Sequence, residues 1–394
     1  MTPKISILHP SFKRPRLAKE CYDLWMNNAE HKQDIEYILC LSQKDPHLAE
    51  YMEIFRETNA LRIVIEDNGL VKQVNRAAEE STGNLIVAVS DDFVCPEWWD
   101  TLLLHSLQDK SDYIVKTQDG LQPWIITLPI MDRAYYNRIG HIYAPAYNHM
   151  YGDEELAEVG QILGRTITLP YYFRHNHYST GINEKDEVNE RNDSFMLIDK
   201  VTFAERKKRN FDVVLLSILI PAMPARKEML DGLIVLLKAQ IGNLPIEICI
   251  NDFNETIGTK RNQLLAAAEG EYLCFIDDDD IVADDYIYLI VNALKRDHPD
   301  CCSLNGVITT DGQNAKIFTH SIKHTRYFEQ DNVYYRPPNH LNVIKSEIAK
   351  CFKFPEINFG EDTDWAMQIC NSGMLKKEST IEGILYYYKY ITNK

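Results

Sequence analysis

The sequence predicts an α/β protein made of two copies of one domain, each a mainly parallel sheet covered by helices. Three observations predict it. Apolar strand-like runs alternate with helical stretches. The same series of segments occurs twice in the same order. In each half one apolar run ends in adjacent aspartates. Internal repetition is sought early because it decides how the rest of the chain is read.

The elements follow in order. "ISILHPSFKRPRLAKE" (5–20) and "LSILIPAMPARKEMLD" (216–231) each read as a buried strand, a Pro-containing turn with a basic residue, and a helix. A second strand follows in each half, "IEYILCLS" (35–42) and "IEICIND" (246–252). Next come "VKQVNRAAEESTG" (71–83) and "TKRNQLLAAAEG" (259–270), Ala-rich helical stretches whose final glycine suits a C-terminal cap. The aspartates then recur. "NLIVAVSDDFVCPEWW" is set against "EYLCFIDDDDIVADDYI" with Asp91 on Asp279, Asp92 on Asp280 and Val89 on Asp277, so the first copy lacks the leading aspartate. "YGDEEL" (151–156) matches "FGEDTDW" (359–365), with Asp153 on Asp362, and "PYYFRHNHY" (170–178) resembles "LYYYKYIT" (385–392). These matches place the copies at 1–178 and 211–394. The polar stretch "STGINEKDEVNERND" opens a linker over 179–210, and the basic run Glu205–Asn210 reads as its solvated face.

Hydrophobic residues at 45% and charged residues at 25% are those of a soluble globular protein. No apolar run reaches the roughly 20 residues that span a bilayer. "MTPKISILHP" lacks a long apolar signal region, so the expected location is the cytoplasm. The net charge of −16 argues against broad nucleic-acid binding, which needs clustered Lys and Arg. The nine cysteines include no CxxC pair, which excludes the common zinc spacings and suits reduced core thiols.

Asp277–Asp280 follow directly on the apolar run Tyr272–Ile276. Four adjacent carboxylates repel one another, and a divalent cation offsets that repulsion. Mg²⁺ and Mn²⁺ take oxygen ligands, and Mg²⁺ often uses one or two carboxylates plus substrate phosphates. A solvated acidic turn is the alternative. The strand before the cluster and the related cluster in the other half favour the metal. An EF-hand lacks its glycine here.

This order of strand, Pro turn, strand with Asp, helix, "FIDDDD" and "GED" resembles the GT-A fold of family 2 glycosyltransferases, over most of both halves. The resemblance implies a divalent metal and a nucleotide-sugar donor, UDP-linked by default. Its strand-end acidic motif falls on Asp277-Asp278-Asp279, with Asp277 toward the nucleotide ribose and Asp279 on the metal. Asp280, Asp91 and Asp92 join the metal candidates. A late histidine often completes the metal shell in this family, and His175 or His177 takes that place in the first half. The second half has Lys389-Tyr390 there. The late acidic motif falls on Glu361-Asp362, with Asp362 the general base and Asp153 its counterpart; a helix N-cap is the other reading of Asp362. Asp252 stands where the family often contacts the base. Lys260, Arg261 and Asn262 are candidates for the nucleotide or its phosphates, as against a solvated first helical turn, and Pro10 and Asn75 are donor-side candidates in the first half. "RPPNHLN" (336–342) reads as an ordered acceptor-side loop or a structural turn.

The implied reaction is inverting transfer of a sugar to a hydroxyl acceptor, with a glycan or its precursor as the default acceptor. Both halves can be catalytic, one can bind acceptor beside an active partner, or both can be degenerate; two active halves is the leading arrangement. Four other readings stay open: a degenerate acceptor-binding half, a viral enzyme glycosylating modified DNA bases, a nucleotidyltransferase, and a non-catalytic glycan-binding protein.

Overall fold

The computed structural model describes residues 4–58, 61–66 and 69–390. The match between the late strands runs on to Thr392, and its last two positions lie outside the described residues. The chain divides into two compact units, residues 1–211 and 212–394.

The first unit contains strands β1 (Ile5–Ser11), β2 (Ile35–Ser42), β3 (Leu61–Glu66), β4 (Leu85–Ala88), β5 (Phe93–Val94), β6 (Ile114–Gln118), β7 (Ile130–Asp132), β8 (Thr166–Tyr172) and β9 (Arg174–His175). Its helices are α1 (Pro15–Asn27), α2 (Leu48–Ile54), α3 (Leu70–Glu80), α4 (Trp99–Leu107), α5 (Arg133–Ile139), α6 (Gly152–Ile162), α7 (Glu187–Asp193) and α8 (Met196–Lys208). Among the described residues the main sheet runs β3-β2-β1-β4-β7-β6-β8. β1 is parallel to β2 and β4, and β7 is antiparallel to β4. β1 is buried along its whole length, as a central parallel strand covered on both faces must be. Trp25 of α1 and Trp99 of α4 meet edge to face at 4.9 Å in the core. Trp25 also donates to the Phe93 carbonyl at 3.0 Å, so the core holds the turn that follows the aspartates.

The second unit contains β10 (Leu216–Pro221), β11 (Ile246–Asn251), β12 (Tyr272–Phe275), β13 (Ile281–Val282), β14 (Cys301–Cys302), β15 (Leu304–Thr310), β16 (Gln313–His320), β17 (Phe328–Gln330), β18 (Val333–Arg336), β19 (Ile344–Lys345), β20 (Glu378–Ser379) and β21 (Tyr386–Tyr390). Its helices are α9 (Lys227–Ile241), α10 (Ile257–Ala267), α11 (Tyr286–Asp297), α12 (Ser346–Ala349) and α13 (Glu361–Ser372). One sheet runs β11-β10-β12-β19-β14-β20, and a second, mixed sheet runs β13-β21-β15-β16-β18-β17. Phe354 stacks on Trp365 at 4.6 Å in this unit's core.

The repeat is visible bond for bond. Ser6 in β1 donates to Glu36 at 2.5 Å, and Ser217 in β10 donates to Glu247 at 2.5 Å. Each serine hydroxyl in turn accepts a backbone N–H, from Gly83 and from Gly270, both at 2.8 Å. These glycines are therefore not helix caps. α3 and α10 end at Glu80 and Ala267, and a Cβ on Gly83 or Gly270 would come within 2.5 or 2.6 Å of the serine latch. The close approach, not a left-handed turn, demands glycine there.

Two further expectations change. The segment read as a linker, 179–210, carries α7 and α8 and packs on the first unit. Phe203 lies against the Val71, Ala144 and Tyr147 cluster, and the buried Asp199 accepts the N–H groups of Asn148, His149 and Met150. The basic run is not simply solvated, because Arg206 and Lys207 pair with Glu155 and Glu158 at 2.8 and 2.5 Å. The aspartate register also shifts by one. The Val89 and Ile276 N–H groups bond to Leu8 and Leu219, and the turns Ser90 to Phe93 and Asp277 to Asp280 close in the same way. Asp91 therefore matches Asp278, Asp92 matches Asp279, and Ser90 stands where the second unit has Asp277. The extra residue of the second copy comes after Asp279, where the turn reaches β13.

Candidate active sites at the strand ends

In the second unit the four aspartates are taken up by separate partners as β12 ends, Arg226 for Asp278 and Asp279, Tyr386 for Asp280 and Arg261 for Asp277, and this relieves the repulsion. Asp278 is buried and accepts the Met223 N–H at 2.6 Å and the Arg226 guanidinium at 2.8 Å, which fixes the turn after β10. Asp279 lies 3.0 Å from Arg226 Nη1. Asp280 points inward, taking the Tyr386 hydroxyl at 2.8 Å and the Lys389 N–H at 3.2 Å. Burial, with the Asp277 charge beside it, pushes the Asp280 carboxyl well above the usual carboxylate range. It is thus not turned toward a metal, as had been expected. Asp277 pairs with Arg261 Nη2 at 3.0 Å. Burial opposes its ionisation, but Arg261 and the His340 ring outweigh burial and hold its carboxyl below the usual range.

Arg261 is 3% exposed, so it is not the solvated first helical turn that "GTKRN" allowed. It lies over the Phe275 and Phe354 rings at 5.3 and 5.7 Å and reaches Glu361 at 3.5 Å. Burial raises the Glu361 carboxyl, and Arg261 opposes that rise. Lys260 does not face a nucleotide either: its ammonium is buried and donates to the Ala222 carbonyl at 2.7 Å, tying α10 to the end of β10. Asn262 brackets Phe354 through both its N–H and its carbonyl at 2.9 Å, and Asn75 in the first unit does the same to Tyr143 and Ile142. Both asparagines are loop clamps, because a primary amide matches a peptide group donor for acceptor. Asp252 is exposed just beyond β11.

Asp362 is the second residue of α13. The N-cap is Gly360, in the left-handed conformation, so the N-cap reading of Asp362 does not hold. Asp153 occupies the same place in α6, after the left-handed Tyr151. The Asp362 side chain is 31% exposed, and the His340 Nδ1 lies 3.7 Å from it. His340 comes from "RPPNHLN"; the sequence pointed to the loop, but only the fold brings its ring to Asp362.

In the first unit Asp91 is drawn inward by His9 Nε2 at 2.9 Å, and the opposite nitrogen of His9 meets the Tyr37 hydroxyl at 2.7 Å. Asp91 thus matches Asp278 in role as well as register. Asp92 takes the Ser90 hydroxyl at 2.6 Å and lies 3.3 Å from His175 Nε2. Burial opposes its ionisation, but His175 and Ser90 outweigh it and lower the Asp92 carboxyl below the usual range. His175 is brought there by β9 pairing with β5, stacked on Phe93 at 4.2 Å. His177 bonds Ser179 at 2.8 Å. A cleft of about 220 Å³ is lined by Pro10, Arg14, Asp92, Asp153, His175 and His177, with Asn189, Asn192 and Asp193 of α7 also on its wall. Burial raises the Asp153 carboxyl to about 6. Arg14, unremarked in the sequence, enters the cleft while forked onto Asp186 at 2.8 and 2.6 Å. α7 and Arg14 had no signal because both depend on the 179–210 segment folding back.

Among the described residues no group of three or more His, Cys, Asp or Glu side chains is gathered to hold a metal by protein ligands alone. The Asp92–His175 pair lines the first unit's cleft and offers an oxygen and a nitrogen donor there, whereas Asp279 in the second unit is 9% exposed and held by Arg226.

The glycosyl transferase family 2 model matches residues 231–354, which include the aspartates and His340 but stop before Glu361-Asp362. Among proteins of curated function none matches this chain. The chain is similar to S. aureus TarS 1-349 in complex with UDP, with TM-score 0.34, 15% identity, and 45% of this chain and 60% of that one covered. It is also similar to the mannosyltransferase PcManGT from Pyrobaculum calidifontis in complex with GDP-Man and Mn²⁺, with TM-score 0.36, 17% identity, and 44% and 57% covered. The chain thus spans about three-fifths of the length of these structures. No helix among the described residues is long and apolar enough to cross a membrane. With its strand-end aspartates and a late acidic helix start, the protein is an α/β chain whose residues 231–354 are similar to glycosyl transferase family 2.

Proposed function

We propose that the chain is a tandem, metal-dependent glycosyltransferase with one site in each unit, taking a nucleotide-sugar donor and a hydroxyl acceptor. The observation that carries this reading is the family 2 match over residues 231–354, whose strand-end aspartates lie within reach of a solvent-facing carboxylate through one histidine.

In the second unit Asp277 and Asp252 face the nucleoside, and Asp362 takes the acceptor proton. The acceptor oxygen attacks the anomeric carbon as the bond to the diphosphate breaks, and the electron pair leaves with the nucleoside diphosphate. Direct displacement inverts the anomeric centre. A divalent ion, when bound by Asp279 or by Asp92 and His175, neutralises charge on the leaving diphosphate. Asp280 and Asp91 are outside this set because their carboxylates are bonded inward. In the first unit Asp153 takes the base role, and Arg14 is the cleft's cation for phosphate. The donor is UDP-linked by default, so the leaving group is a nucleoside diphosphate. A glycan or its precursor is the proposed acceptor, and the cytoplasm the proposed location.

Nucleotide release from UDP-, GDP- and CMP-sugars with Mn²⁺ tests this, using wild type beside Asp92→Ala and Asp279→Ala. Loss of different activities in the two variants is the expected result. No release from any donor, with acceptors present, would leave a glycan-binding protein. Release of pyrophosphate in place of nucleoside diphosphate would make it a nucleotidyltransferase.

A further inference from the structure

His340 is 6% exposed, and neither ring nitrogen has a hydrogen-bond partner. A buried imidazole kept only for packing is normally satisfied by backbone or a neighbouring amide. His320 in the same unit is half-way to that alternative, with Asn342 Oδ1 at 2.9 Å from its Nδ1 and its Nε2 without a partner. His340 instead stands between two carboxylates, Nε2 at 3.8 Å from Asp277 Oδ2 and Nδ1 at 3.7 Å from Asp362 Oδ2. Both gaps are beyond hydrogen-bond length and too short for an intervening water. Nη1 of Arg261 is likewise buried without a partner. The orphaned atoms on the ring and on the guanidinium that holds Asp277 thus lie beside the same two carboxylates.

The loop that presents the ring is rigid. Asn342 takes the Asn339 N–H at 3.0 Å and donates to the Cys302 carbonyl at 2.9 Å, and the His340 carbonyl accepts the Phe275 N–H at 2.8 Å. The His340 backbone is therefore tied to Phe275 at the end of β12, two residues before Asp277. In the first unit the corresponding N–H of Ala88 goes to the Pro129 carbonyl, so a proline stands where the second unit has His340.

We propose that His340 is a positioning residue that orients Asp362 through Nδ1 and links it to Asp277 through Nε2, so that one ring sets the base relative to the seated donor. This rests on the reading of Asp362 as the base. A ring that donates to both carboxylates at once carries hydrogen on each nitrogen, a neutral ring donates to one of them only, and hydrogen on Nδ1 is the form that orients Asp362.

The test uses the full chain and two readouts. First, steady-state transfer is measured for wild type, H340A, H340N and H340Q, with D362N as the control for the base itself. The Asn amide reproduces the Nδ1 position and the Gln amide the Nε2 position. H340A is expected to lower kcat by about 10- to 100-fold, the usual cost of losing a supporting partner, with donor KM within about threefold. H340N should restore most of kcat and H340Q should not. An H340A variant with unchanged kcat, or H340N no better than H340Q, overturns the proposal. Second, ¹⁵N-histidine spectra of the folded protein are recorded for wild type, D277N and D362N, with H340N identifying the signal. The His340 resonances should move in both variants, and failure to move in either overturns the proposal. An active wild type with an active D362N, or a wild type inactive with every donor and acceptor, defeats the base reading alone. The spectra then still decide whether the ring joins the two carboxylates.

Discussion

Arg261 shows how one residue separates the two units. In the second unit it lies over the Phe275 and Phe354 rings and pairs with Asp277 and Glu361. The aligned positions in the first unit are Val74, in the same turn of α3, and Ser90. Cation and carboxylate are missing together, so neither is left buried alone. Arg261→Ala should therefore destabilise the second unit by about 3–5 kcal/mol, read by chemical denaturation, because it strands Asp277 and Glu361 without their cation. Removing Arg261 and Asp277 together, as Val and Ser, should cost less than the sum of the single changes. Asp153 makes a second prediction. Its folded pKa of about 6 is above the ordinary carboxylate value, so the folded chain binds more protons than the unfolded chain between about 4 and 6. Stability should fall as pH rises through that window, and Asp153→Asn should flatten the fall. Turnover by the first unit should rise across the same window, as the base loses its proton. The sequence named Asp153, Asp277 and Arg261 from pattern alone. It could not show that Lys260, Asn75 and Asn262 hold backbone, because their partners at Ala222, Tyr143 and Phe354 are distant in the chain.

At the scale of elements, α10 and the segment before α13 touch backbone to backbone. A Cβ on Gly258 would lie 1.8 Å from the Pro355 carbonyl oxygen. The Gly258 N–H bonds the Ile357 carbonyl at 3.1 Å. Gly258→Ala should move 355–359 away from α10 and so displace Asp362, with turnover lost from the second unit while the first unit's activity persists. In the first unit α7 forms a strap on the cleft wall, capped by Asp186, which takes the Val188 and Asn189 N–H groups. Lys13 and Arg14 from the turn after β1 hold it through Glu187 and Asp186 at 2.8 and 2.6 Å. Asp186→Ala should cost about 1 kcal/mol through the cap and free Arg14. Hydrogen exchange should then quicken over 187–193 and hardly elsewhere. Strands and helices of the repeat were legible because their apolar periodicity is local. The strap was not, since its polar sequence has the composition of a linker and gains order through distant partners such as Lys13, Arg14 and Tyr178.

At the scale of the molecule, each unit carries its own sheets and its own aromatic core. Expressed separately, 1–211 and 212–394 should each unfold cooperatively, as followed by circular dichroism on heating. The two-fold plan was plain from order and composition, whereas the one-residue register between Asp91 and Asp278 needed the ladder bonds, because a run of identical aspartates aligns equally well with a shift. The serine latch repeated at Ser6 and Ser217 has a further use. A hydrogen bond's contribution is ordinarily tangled with its surroundings, and comparing it between proteins changes everything at once. Here one motif is written twice in a single polypeptide, with the same donor, acceptor and glycine, in two different neighbourhoods. Ser6→Ala and Ser217→Ala therefore form a matched pair of replicates, in the same solvent and at the same concentration. Any difference between them measures context itself.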